Sequence, residues 1–161
     1  MLVILLIALV ANATFVGLLS GRVPERVATH FNIEGVPDGW MSRKGFFWFG
    51  VIFPVAICAF MFFMSTMVAG ALPLKVPNAD YWNAPAHLPE ASRRIQNWLV
   101  EIATLTTLFL MGTWWLVAKA QRTRPIRLPQ REFWSFLVGF LVLIAVLCFQ
   151  LSNWNIPGTN A

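Results

Sequence analysis

The chain has 161 residues, of which 58% are hydrophobic and only 12% charged, with a formal net charge of +5. Soluble domains are about 45–50% apolar and about 25% charged, so this chain has too little polar surface to cover a water-soluble globule. Its basic residues flank apolar runs, where they set topology and meet lipid head groups, so the expected partner is a bilayer and not nucleic acid.

A bilayer core needs about 20 mostly apolar residues of helix. Residues 1–19 supply the first such run, interrupted by Asn12 and Thr14. Ala11 and Ala13 imitate a signal-peptide cleavage site, but a signal peptide opens on basic residues and this chain opens Met1-Leu2-Val3-Ile4. The segment reads as a span. A polar loop rich in Gly and Pro covers residues 20–44, and a second, Phe-rich span covers residues 45–72. Within it Pro54 predicts a kink, whose freed carbonyl a neighbouring helix must satisfy.

A second loop runs over residues 73–94, where Pro89-Glu90 has the chemistry of a helix start. The third span is expected at 95–118, a basic loop at 119–131, the fourth span at 133–151 and a polar tail at 152–161. The expected fold is therefore all-α: a single polytopic domain, a four-transmembrane-helix bundle with short loops. No internal repeat of inverted halves is visible, which argues against a transporter.

All eight tryptophans fall near the proposed span ends or in adjacent loops, as interfacial anchors do. Cys58 and Cys148 lie inside apolar runs and read as small buried hydrophobes, not as a disulfide or zinc site. Lys and Arg divide as four, three and five over the three loops. With loops one and three on one side, the positive-inside rule places those loops in the cytoplasm and both termini outside.

The first loop contains His30-Phe31-Asn32 and, after Gly35, the turn-forming Pro37-Asp38-Gly39 before Trp40. In an extended segment His30 and Asn32 would share a face. His30 with Asp38 has the chemistry to hold a metal or relay a proton. Two ligands without a third make no metal site, and the competing reading is structural: His30 ties the loop to carbonyls or head groups.

The run Pro24–Trp40 resembles the hallmark of the bacterial membrane-protein family catalogued as domain of unknown function 1648: Pro-x-x-Val-x-x-His-Phe-Asn, then Gly-x-Pro-Asp-Gly-Trp, after a first span. A looser second signature resembles Asn78, Tyr81 and Trp82, followed by Pro85, Pro89, Arg93 and Arg94. The resemblance implies a module in the bacterial cytoplasmic membrane of unestablished activity, found alone or fused into Sdp-type immunity proteins. It also makes His30, Phe31, Asn32, Gly35, Pro37, Asp38, Trp40, Asn78, Tyr81 and Trp82 the candidate binding residues.

Loops one and two emerge on opposite faces, so His30 and His87 are not expected to share a metal. Neither His lies inside a span to hold a haem. No catalytic triad is visible, and no cofactor is expected. Glu101, about two turns into the third span, is the one ionisable residue at depth; it is either functional, or it reaches the interface or bonds with Gln96, Asn97 or Asn12. Three functions remain. The first is a non-catalytic accessory subunit of a larger membrane complex, favoured because the spans are apolar nearly all round, the loops are too short for a soluble domain, and the tail from Asn153 to Pro157 reads as held by something. The second is a sensor or immunity factor binding a peptide or lipid at loop one. The third is a membrane-embedded enzyme using His30, Asp38 and Asn32.

Overall fold

The computed structural model describes residues 1–70, 73–152 and 154–155. In chain order the elements are α1 (Leu2–Ser20), β1 (Arg26–Phe31), β2 (Pro37–Ser42), α2 (Arg43–Gly70), the single turn α3 (Ala79–Trp82), α4 (Leu88–Ala120) and α5 (Gln130–Ser152). Four of them, α1, α2, α4 and α5, are long and apolar enough to cross a membrane. The expected ends lie close to the helix ends except at the start of α4, which begins at Leu88 and not at residue 95. Residues 71 and 72, where the second span was expected to finish, lie outside the described residues, as do Asn153, Ile156 and Pro157 of the tail.

α4 is longer than its expected span because Pro89 near its start and Glu90 in its first turn begin the helix in the polar zone. Its 33 residues extend about 50 Å at 1.5 Å each, more than the roughly 30 Å hydrocarbon core. α4 is the hub of the bundle. It packs against α1 and α2, which also pack on each other, whereas α5 packs chiefly on α4 alone.

The carbonyl that Pro54 was expected to free has the partner it requires. Proline has no N–H, so the carbonyl four residues earlier, that of Gly50, loses its helical donor. The side chain of Asn12, only 1% exposed in α1, donates its Nδ2 to Gly50 O at 2.9 Å. A Cβ on Gly50 would stand 2.8 Å from Val16 Cγ1, so glycine is what lets α1 approach that carbonyl.

The loop expected over residues 20–44 contains a structured antiparallel hairpin, an addition to the helical architecture. Its turn is not at Pro37-Asp38-Gly39, as the turn chemistry predicted. Those residues open β2, where proline's missing donor is tolerated at the first position. The chain reverses instead at Asn32–Val36: Asn32 Oδ1 accepts from the backbone N–H of Glu34 and Val36, and Gly35 takes φ 75°. Asn32 has thus left the strand and does not share a face with His30 by strand alternation.

Burial also divides the tryptophans. Trp40, Trp48, Trp115 and Trp134 are at least 40% exposed, as interfacial anchors should be. Trp82, Trp114 and Trp154 are buried and pack the two ends of the bundle instead. Cys58 is buried as expected, but Cys148 is exposed, because α5 lies at the periphery.

Candidate functional site

The hairpin stands at the end of the bundle where α1 ends, α2 begins and α4 ends. Val27 joins a core of Val16, Leu19, Val23, Phe46, Trp114 and Val117. Next to it, the buried Gln121 side chain substitutes for a missing third strand. Its Oε1 accepts from the Ala28 N–H at 3.1 Å, and its Nε2 donates to Ala28 O at 3.0 Å. The same Nε2 also donates to Val117 O at 2.9 Å, tying the strand to α4.

The turn is tied to loop three in the same manner. Leu128 N–H donates to Gly35 O at 3.0 Å, and Gln130 Nε2 donates to Ile33 O at 2.8 Å. A Cβ on Gly35 would meet Gln130 Nε2 at 2.9 Å and Leu128 O at 3.1 Å. Loops one and three therefore share one end of the molecule, as four crossings require.

Between the docked hairpin and the first turns of α5 lies a cleft of about 360 Å³, within the range of small-ligand sites. Phe31, Ile33, Leu116, Val117, Phe133 and Trp134 give it apolar walls, and Thr29, His30, Asn32 and Gln130 add polar groups. Trp114 also lines it, and its buried indole N–H has no hydrogen-bond partner among the described residues.

Of the expected loop-one residues, His30, Phe31 and Asn32 line this cleft. His30 Nδ1 lies 2.5 Å from Asp38 Oδ1 across the hairpin, with their side chains 76% and 46% exposed. Gly35 and Pro37 shape the turn and strand. Trp40 lies on the outer surface under the Arg26 guanidinium, 5.2 Å from the ring centre.

Asn78, Tyr81 and Trp82 are at the opposite end. Asn78 Nδ2 and Trp82 Nε1 both donate to Trp154 O, at 2.8 and 3.3 Å, and the Trp82 and Trp154 rings meet edge-to-face. Arg94 sits 4.4 Å over the Trp82 ring and pairs with Glu90, while Tyr81 stacks on His87. At Trp154 the tail is held, as expected, and its holder among the described residues is this chain's own second loop. The length of α4 separates His30 from His87, and among the described residues no three His, Cys, Asp or Glu side chains are grouped to hold a metal.

Glu101 is half-buried in α4, on the helical stripe of Trp98 and Leu105, which both meet α5. It makes no hydrogen bond or ion pair among the described residues. Asn12, one of its expected partners, is bonded to Gly50 instead. Sequence reasoning also passed over Gln121, Gln130 and Leu128, which position the candidate residues. A glutamine just past a predicted span was the only available sign.

A family model described as Domain of unknown function (DUF1648) matches residues 3–53, covering α1, the hairpin and the first part of α2. This is the family that the hairpin motif resembles. No curated protein and no solved structure matches the chain.

Proposed function

We propose that this multi-pass chain, whose residues 3–53 match a domain of unknown function, is a non-catalytic accessory subunit of a larger membrane-protein assembly. One observation carries the reading. None of the apolar stretch of α5 is buried within the chain, whereas the other three spans bury 22–28% of theirs. An apolar helix in lipid gains no hydrophobic free energy by packing; close van der Waals contact and polar groups drive association instead. The α4–α5 side offers both. Gly139 has open space where a Cβ would stand, with Ser135 one turn before it, and Glu101, unpaired among the described residues, lies on the adjoining stripe of α4. An intramembrane carboxylate is costly unless paired, so Glu101 fits a polar or cationic group on a second chain.

The orientation consistent with the charge distribution has the hairpin end in the cytoplasm of a bacterial cell. The His30–Asp38 pair of the enzyme reading forms, and among the described residues no third His, Cys, Asp or Glu is grouped with it to hold a metal.

The test is photo-crosslinking in native membranes from Leu141 and Val142 on α5, compared with Val3 and Ile7 on α1, all of which face outward. Crosslinks to a defined protein from α5 and not from α1 are expected. Equal labelling from both helices, or none from α5, overturns the proposal.

A further inference from the structure

We infer that the cleft between the hairpin and the start of α5 binds one anionic phospholipid, an inference independent of the subunit reading. Four observations converge on it.

The first is shape and lining. The cleft measures about 360 Å³, with walls formed by Phe31, Leu116, Val117 and Phe133, and His30 and Gln130 supply polar groups beside them. Apolar walls with a few polar groups suit an amphiphile better than a free ion. The second is depth. The cleft forms where α4 ends and α5 begins, and the half-exposed Trp115 and Trp134 mark that level as the head-group zone.

The third is charge. This end of the molecule carries nine of the twelve Lys and Arg residues and four acidic ones. Three of those acids are already engaged: Glu25 with Arg43, Asp38 with His30 and Glu132 with Lys119. Only Glu34 is left to oppose the remaining cations. Two of these, Arg127 and Arg131, are exposed and adjoin the lining residues Leu128 and Gln130 in the chain, and neither is ion-paired among the described residues. Basic side chains held at head-group level attract anionic lipid. The fourth is the buried Trp114 indole in the cleft wall, an N–H donor that nothing in the described chain satisfies.

The test uses the full chain in mild detergent with defined mixtures of phosphatidylglycerol and phosphatidylcholine, read by native mass spectrometry. The wild type should retain about one phosphatidylglycerol per chain, in preference to phosphatidylcholine. The double variant R127Q/R131Q should lower that retention roughly five- to thirty-fold, since each basic residue near the surface contributes about a factor of five. The variant R22Q/K44Q removes equal charge at the α1–α2 side of the same end and should retain the lipid. Both arginines of the test pair are exposed and Arg127 meets Thr123 through its backbone, so folding is expected to persist; unchanged thermal melting checks this. Equal retention of the two lipids overturns the inference. So does equal loss in both double variants, which would mean diffuse surface charge. Displacement of the lipid by millimolar inorganic phosphate would identify a free-anion site and also overturns it.

Discussion

Replacing Asn12 by leucine tests how the bundle tolerates a proline in mid-span. Asn12 Nδ2 lies 2.9 Å from Gly50 O, the carbonyl that Pro54 deprives of its helical donor. Interhelical hydrogen bonds in membrane proteins average about 0.6 kcal/mol and reach about 1.7 kcal/mol. Asn12→Leu loses that bond and strands a buried carbonyl, which costs about 1–3 kcal/mol by itself. Against this, Asn12 Oδ1 is buried without a partner among the described residues, so its removal recovers part of the loss. The expected net cost is about 1–2 kcal/mol.

Pro54→Ala supplies an N–H to the same carbonyl, so the asparagine becomes dispensable in that background. A double-mutant cycle read by reversible unfolding in bicelles should therefore show a coupling of about 1–2 kcal/mol, with Asn12→Leu nearly neutral when Pro54 is absent. Costs that add to within about 0.5 kcal/mol would refute the link between the two residues.

Gly50→Ala should destabilise the bundle by about 1–3 kcal/mol through its contact with the buried Val16, and Val16→Ala should restore much of that in the same unfolding assay. Gln121→Glu should release the hairpin, because a carboxylate cannot donate to Ala28 O and Val117 O; hydrogen exchange at the Ala28 amide should rise well above the wild-type rate. Gly35→Ala, forced to φ 75° and into Gln130, should cost about 1–2 kcal/mol and increase protease cleavage within the turn. His30→Ala should change stability by less than about 1 kcal/mol, since its pairing with Asp38 is solvent-exposed, so any loss of cellular activity with intact folding would mark a recognition role.

The spans were legible because hydrocarbon imposes a one-dimensional rule. About 20 apolar residues must continue without charge, and residues 1–19, 45–72, 95–118 and 133–151 obey it whatever their neighbours. Pro54 was legible for a related reason: a chain with no water to fall back on must find another donor for the freed carbonyl. The hairpin was missed because its strands are short, contain Pro and Gly, and alternate only weakly. Two residues in succession, Val27 and Ala28, are fully buried, one against the helical core and the other under Gln121. A period-two pattern cannot survive when both faces of a strand are covered by partners distant in the chain.

The candidate site divided along the same line. The motif from Pro24 to Trp40 marked the correct segment, yet His30, Phe31 and Asn32 become parts of a cleft only when Leu116, Val117, Phe133 and Trp134 arrive from roughly a hundred residues away. Asn78, Tyr81 and Trp82 looked similar in kind, but they lie at the opposite end, where Asn78 and Trp82 clasp Trp154 and Tyr81 packs on Trp82 and His87.

From sequence alone came the solvent, the number of crossings, the pairing of loops one and three, and the need for a donor opposite Pro54. Each follows from a local property, apolar length or a missing N–H, that no distant residue can alter. Tertiary structure decided which helix serves as hub, that α5 stays at the edge, where the hairpin docks and which polar groups remain unpaired. Those depend on contacts between residues far apart in the chain, where geometry rather than composition selects the partner.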